Sequence, residues 1–66
     1  MRFWIENGTS KELNLETLTA AKRRARVLMR RRIDDGDPYP FVQIIADDSS
    51  AGWHFDIHSE SWHEDS

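Results

Sequence analysis

Hydrophobic and polar residues alternate along the first part of the chain, which is the period of a β-strand with one buried face. Residues 2–6 alternate in this way and are rich in strand-forming aromatic and branched side chains. Asn7-Gly8 follows as a hairpin signal, because both residues tolerate a positive φ. Residues 11–16 then alternate again. The pattern therefore predicts two strands joined by a tight turn.

The length of this turn decides which side chains of the second strand face the core. A three-residue loop with a glycine bulge would put Leu13 and Leu15 on the same face as Phe3. A two-residue turn at Asn7-Gly8 would instead place Glu12 opposite Phe3. We therefore predict the bulged loop, because it keeps the leucines on the buried face.

Apolar residues at three- and four-residue steps predict an amphipathic helix from about Leu18 to Ile33. Thr17 is expected to cap this helix, with its hydroxyl accepting a hydrogen bond from the first turn. Gly36 suits the end of the helix. An alternative start with Asn14 as the cap would remove the second strand. The predicted buried stripe consists of Leu18, Ala21, Ala25, Leu28, Met29 and Ile33.

Two further strands are predicted after the helix. Residues 41–46 are apolar on both faces, and residues 53–58 alternate. The chain from residue 59 is polar and is expected to fray, although Trp62 is unusual in such a tail. The sequence thus predicts one α+β domain over residues 1–58, in the order ββαββ, followed by a polar C-terminal tail, residues 59–66. One helix would cover one face of a mostly antiparallel sheet; without the second strand the order becomes βαββ.

The charges are distributed unevenly along the chain. The formal net charge is −3, yet seven of the nine Lys and Arg residues lie between residues 22 and 32. Four of these cations would form an exposed ridge along the helix, where a row of positive charge could neutralise several nucleic-acid phosphates. Against this, the acidic total argues against a general nucleic-acid binder. The ridge consists of Lys22, Arg23, Arg26 and Arg30.

The sheet face that the helix leaves open is the second candidate surface. Trp4 points there if its neighbours point inward, and so does either Phe41 with Ile45 or Val42 with Ile44. A tryptophan beside branched aliphatic residues on an open face is typical of an interface, and a small core gains from dimerisation. We therefore expect a protein–protein or homodimer interface. The residues assigned to it are Trp4, Phe41, Gln43 and Ile45.

Histidine and aspartate alternate along the last predicted strand. His54, Asp56 and His58 would lie on one face, and His63 could add a fourth ligand for zinc or a similar ion. Polar residues are also expected on the exposed side of an antiparallel strand, and ligands along one strand diverge. We therefore predict no metal site and no cofactor, with these residues as the nearest candidate.

Motifs of catalysis and targeting are missing from the sequence. It contains no nucleophile elbow, no phosphate-binding loop and no apolar run of the length that a membrane span needs. The chain lacks cysteine, which suits a reducing cytoplasm, and its start lacks the pattern of a secretion signal. We therefore expect a soluble, cytoplasmic, non-enzymatic protein that is not bound to a membrane.

The helix start also carries a resemblance to known proteins. Residues 16–25, Glu-Thr-Leu-Thr-Ala-Ala-Lys-Arg-Arg-Ala after an alternating strand, resemble the helix start of many small uncharacterised bacterial and prophage-encoded proteins. The resemblance implies a mobile-element accessory protein without catalytic activity. From the residues themselves, the first expectation is a binding module that uses the open sheet face, and the alternative is a nucleic-acid-associated protein that uses the ridge.

Overall fold

The fold is a two-layer α+β arrangement, as the pattern predicts, with one helix on one face of an antiparallel sheet. A computed structural model describes residues 2–8 and 10–65, with the backbone alone at Leu13. The sheet has five strands in the order β2-β1-β3-β4-β5, and every neighbouring pair is antiparallel. The elements are β1 (Phe3–Asn7), β2 (Ser10–Leu15), α1 (Leu18–Asp34), β3 (Val42–Ala46), β4 (Gly52–Asp56) and β5 (Ser61–Asp65).

Helix α1 begins and ends close to the predicted positions. Thr17 is its N-cap, and the Thr17 hydroxyl accepts a hydrogen bond from the Ala20 N–H at 3.0 Å. At the other end Gly36 has a φ of +100°, and its N–H donates to the Ile33 carbonyl while the Asp37 N–H donates to the Arg32 carbonyl. These two bonds form the Schellman pattern, in which a left-handed residue ends the helix.

The core lies between α1 and the middle of the sheet. The helix contributes small or flexible side chains, which let it lie close to β1 and β3. Leu18 and Leu28 are partly buried beside the core, as predicted, whereas Ile33 remains 41% exposed. The prediction for Ile33 is therefore wrong: this residue lies in the last turn of α1, where it lines an open groove at the surface. The buried hydrophobic residues are Phe3, Ile5, Ala21, Ala25, Met29, Val42, Ile44 and Ala46.

The first hairpin differs from the predicted bulged loop. Asn7 pairs with Ser10, so two residues separate the paired ends, and the bulge lies further along β2, where Asn14 has a φ of +66°. The register puts Glu12 opposite Ile5. Beyond the bulge, Leu15 returns to the position opposite Phe3, as expected of a core residue. The predicted core position of Leu13 lies outside the side chains that the structure describes.

A glutamate therefore lies on the helix side of β2. The carboxylate of Glu12 accepts hydrogen bonds from Arg24 Nε at 2.8 and 3.1 Å. Both side chains are about one third exposed, so the pair lies at the edge of the layer rather than in the core. Arg24 of α1 pairs with Glu12, which explains why β2 tolerates a charge opposite Ile5, where the sequence pattern predicted a hydrophobic residue.

Strand β3 settles which of its two apolar faces is buried. Val42 and Ile44 are 1% and 0% exposed and face the helix, so Ile45 points to the open side of the sheet. Strand β4 ends at Asp56, two residues before the predicted end, because a turn begins at Ile57. The predicted pairing of Phe41 with Ile45 on the open face is therefore the one that the fold adopts.

The segment predicted as a polar tail contains strand β5, and this prediction is wrong. Residues 61–65 pair with β4 in a regular antiparallel register, in which Trp62 lies opposite Phe55. Trp62 is partly buried against the core residues. The contact between Trp62 and Phe55 holds β5 on the sheet, although the polar composition of this segment does not indicate a strand.

Helix α1 covers only part of the five-stranded sheet. It packs mainly against β1, β2 and β3, so the helix side of β4 and β5 is only partly covered. Over the part of the chain that the structure describes, no helix combines the length and apolar character that crossing a membrane would need.

Candidate functional site

A groove of about 1030 Å³ runs between α1 and the partly covered strands β4 and β5. We call it the basic groove. All four cations of the predicted ridge lie along its wall, and two aromatic rings lie in its floor. Its lining consists of Thr19, Lys22, Arg23, Arg26, Val27, Met29, Arg30, Arg31, Ile33, Phe55, Ile57, Glu60 and Trp62.

Two of the ridge cations lie directly over the aromatic rings of the floor. Lys22 Nζ is 5.4 Å from the centroid of the Trp62 ring, and Arg26 Cζ is 4.8 Å from the centroid of Phe55. The positions follow from the helix period, because residues four apart lie on one side of α1. Arg23, Arg26 and Arg30 are exposed, as predicted for the ridge, and the ridge also forms one side of the groove.

Other cations of the helix are engaged in ion pairs elsewhere. Arg24 pairs with Glu12 on the β2 side of the molecule. Arg32 donates hydrogen bonds to Asp37 Oδ2 at 2.7 Å and to Asn7 Oδ1 at 3.0 Å. These contacts tie the end of α1 to the first hairpin and to the following loop. The cations that face the groove are thus separate from those that stabilise the fold.

The floor of the groove depends on the pairing of β4 with β5. The rings of Phe55 and Trp62 meet edge to face, with 5.4 Å between their centroids. Both side chains are partly buried, so each keeps some surface accessible from the groove. The sequence pattern missed this feature because β5 was predicted as a tail. Its only signal was a tryptophan within an otherwise polar segment.

The open face of the sheet carries the four residues predicted as an interface. Trp4 lies opposite Ile45, and Gln43 lies two residues along the same strand. Phe41 is 56% exposed, and its ring lies 5.4 Å from that of His54. The structure thus brings the predicted residues to one face.

This face is less apolar than the sequence suggested. Lys11 Nζ lies 4.4 Å from the centroid of the Trp4 ring and covers part of it. The indole Nε1 of Trp4 is buried without a hydrogen-bond partner among the described residues. Towards the other edge of this face, Asp65 of β5 forms hydrogen bonds with His54 Nδ1 at 2.8 Å and with Gln43 Nε2 at 3.3 Å. Polar side chains therefore occupy the β4–β5 part of the open face.

The nearest candidates for metal ligands come only partly together: the ring of His63 lies 5.5 Å from that of His54, and its Nε2 lies 3.8 Å from Asp56 Oδ2. His54 lies on β4 and bonds to Asp65, whereas His58 lies in the following turn and stacks on Tyr39. Asp56 accepts a hydrogen bond from the His58 N–H at 2.9 Å, and this bond holds the pKa of Asp56 below its ordinary value of 3.8. Between residues 2–8 and 10–65, no three His, Asp or Glu side chains are arranged to hold a metal ion. The alternation does not carry His58 to the face of His54 and Asp56, because β4 ends at Asp56 and His58 lies in the turn that follows.

Serine, histidine and aspartate do meet where β4 turns into β5, but not in the geometry of a catalytic triad. The hydroxyls of Ser59 and Ser61 lie 3.4 and 3.3 Å from His63 Nε2. Asp56 Oδ2 lies 3.8 Å from the same nitrogen. In a triad the carboxylate orients one ring nitrogen while the other accepts the serine proton. Because both groups approach Nε2 here, the arrangement cannot activate a serine in that way.

Comparisons with protein-family models, with curated proteins and with solved structures found no match for this chain. The resemblance of residues 16–25 to prophage-encoded proteins therefore stays a prediction. The basic groove is thus identified from its geometry alone, as the place where a cationic wall and an aromatic floor meet.

Proposed function

We propose that this protein is a non-enzymatic binding module whose basic groove takes an extended anionic polymer. The observation that carries the proposal is that the cationic ridge and two partly buried aromatic rings line one open groove. Five cations and one carboxylate, Glu60, lie along it. A ligand with repeated negative charge would satisfy several of these cations at once.

The acidic total charge is compatible with such a ligand. The acidic residues concentrate at the end of α1 and just after it, in the loop that follows β3 and near the end of the chain, and Asp34 lies one helical turn from Arg30. The molecule is 33 Å along its longest axis, whereas salt screens exposed charges beyond about 10 Å at 0.1 M. A polymer in the groove would therefore meet mainly the charges that line it, which are five cations and Glu60.

Binding of labelled polyanions at low salt tests this proposal. Fluorescence anisotropy would be measured with a single-stranded oligonucleotide and with poly-glutamate, first on the protein as it is. The variant Arg26→Glu with Arg30→Glu should abolish binding, because both changed residues line the groove. The matched control, Arg2→Glu with Lys11→Glu, makes the same charge change outside the groove and should retain most of the affinity. If both double variants weaken binding equally, the groove is not the site.

A second candidate function is self-association through the open sheet face. Phe41 is 56% exposed beside the ring of His54, and Trp4 and Ile45 form a partly covered apolar pair nearby. A second copy could cover these side chains and enlarge a small buried core. Sedimentation velocity at high concentration should then detect a dimer that Phe41→Ser weakens. Val27→Ser, at a residue of similar exposure on the helix, should not change it. A strict monomer would refute this candidate.

We also propose the cytoplasm as the setting of the protein. A chain without cysteine suits a reducing compartment. The mobile-element origin implied by the helix start would fit a small binding module, and the genes that surround this one would test it.

A further inference from the structure

We propose that the polymer bound in the basic groove is single-stranded nucleic acid, with a base stacked on Trp62. This inference rests on the proposed function and narrows it to one ligand class. Proteins that bind single strands without sequence preference combine a cationic groove with aromatic side chains on which bases stack. Both parts are present in the basic groove, and they lie in contact with each other.

A cation of the ridge lies beside each aromatic ring of the groove. Lys22 lies over Trp62 and Arg26 lies over Phe55, so a strand that stacks a base on either ring brings its phosphates close to positive charge. A cation–π contact at an exposed site is weaker than the stacking of a base on an aromatic ring. A bound strand would therefore draw each cation to a phosphate and leave the ring face to a base.

The aromatic lining favours a single strand over a duplex. The rings of Phe55 and Trp62 both line the groove. The bases of a duplex are stacked on one another, so a duplex cannot offer a base face to either ring without unstacking. A single strand has free base faces and can place them on a ring while its phosphates meet the cations.

The aromatic rings favour nucleic acid over an acidic peptide as the ligand. A peptide of acidic residues would satisfy the cations equally well, but it offers no flat apolar group to Phe55 and Trp62. These rings meet edge to face at 66°, so a planar group can stack on one of them while its neighbour along the strand lies beside the other. The aromatic floor is the feature that an acidic peptide would leave unused.

Three probes of known composition test the inference on the full chain. They are a fluorescein-labelled oligothymidylate of about 15 nucleotides, the duplex that it forms with its complement, and poly-glutamate of similar length. We expect the single strand to bind more tightly than the other two probes at the same salt concentration. We also expect its affinity to fall as salt rises, because phosphate contacts release counterions.

Two variants that keep an apolar side chain isolate the stacking contact. Trp62→Leu should weaken oligothymidylate binding by roughly five- to 150-fold, the range reported for loss of one stacked base. The same variant should change poly-glutamate binding less than twofold. Trp4→Leu, at a partly buried tryptophan on the opposite face of the sheet, should leave both affinities unchanged.

A measurement on the unaltered protein guards against a folding defect in Trp62→Leu. In NMR spectra of the ¹⁵N-labelled chain, oligothymidylate should shift the indole signal of Trp62 more than poly-glutamate does, because only a base can stack on the ring. If both polymers bind equally and shift this signal equally, nucleic-acid recognition is refuted, while binding of an anionic polymer in the basic groove is supported. If the duplex binds more tightly than the single strand, the inference also fails. If no polymer binds, both proposals fail together.

Discussion

Truncation of Trp62 to alanine tests the least expected part of the fold, the strand β5. The Trp62 ring contacts Phe55 edge to face at 5.4 Å and packs beside the core. The change would remove this anchor and leave β5 held by its backbone pairing with β4 and by polar contacts on the open face, such as the hydrogen bonds of Asp65 with His54 and Gln43. These contacts are partly exposed, so we expect β5 to detach first.

The expected loss of stability follows from the burial of the ring. Truncation of a well-buried tryptophan to alanine costs about 3–5 kcal/mol in the free energy of unfolding. Trp62 is only partly buried, so about 2–3 kcal/mol is expected, including the edge-to-face contact with Phe55. Chains of this length are stable by roughly 3–10 kcal/mol, so the variant should still fold. With a urea m-value of roughly 1 kcal/mol/M, the midpoint should fall by about 2 M.

Urea unfolding followed by circular dichroism would measure this change, and amide hydrogen exchange would locate it. Amides of residues 61–65 that pair with β4 should be protected in the unaltered protein and lose protection in Trp62→Ala. Glu64→Ala, at an exposed neighbour on the same strand, should stay within about 0.5 kcal/mol. Unprotected β5 amides in the unaltered chain, or an unchanged midpoint in Trp62→Ala, would refute the reasoning.

Three further outcomes follow from single contacts. Gly36→Ala should lower the free energy of unfolding by about 1–2 kcal/mol, because alanine is strained at a φ of +100°; an unchanged urea midpoint would contradict this. A double-mutant cycle on Glu12→Gln and Arg24→Gln should give a coupling of about 0.5–1 kcal/mol, since the pair is partly exposed, and a zero coupling would contradict the ion pair. Asp56→Asn should be less stable than the unaltered protein at neutral pH, because the lowered pKa of Asp56 stabilises the fold above 3.8. The difference in the free energy of unfolding between the two proteins should vanish as the pH falls through the pKa of Asp56 in the folded state. If urea midpoints of the two proteins differ by the same amount at neutral and acidic pH, this prediction is wrong.

The elements set by local chemistry were predictable from the sequence. Thr17 caps α1, and Gly36 ends it, because a cap hydroxyl and a left-handed glycine act within one helical turn. The alternation of β1 and β4 likewise predicts which of their side chains face the helix. Half of the basic groove was also predictable, since its cationic wall follows from the four-residue spacing on α1.

The register of β2 and the outer strand could not be predicted in the same way. The two-residue turn places Glu12 on the helix side, where it pairs with Arg24, and the bulge at Asn14 then returns Leu15 to the position opposite Phe3. The pairing of β5 depends on a contact between Trp62 and Phe55, which only the folded sheet brings together. Both features depend on partners distant in sequence, and hydrophobic periodicity carries no information about such partners.

Taken by itself, the sequence determined the helix, its basic ridge and the two-layer α+β class, because each of these arises from spacing within a few residues. Only the tertiary structure decided where the helix lies on the sheet. Because α1 packs mainly against β1, β2 and β3, the helix side of β4 and β5 is only partly covered beside the cations. A groove exists only where two elements fail to cover each other, so its aromatic floor is a property of their packing and not of either segment alone.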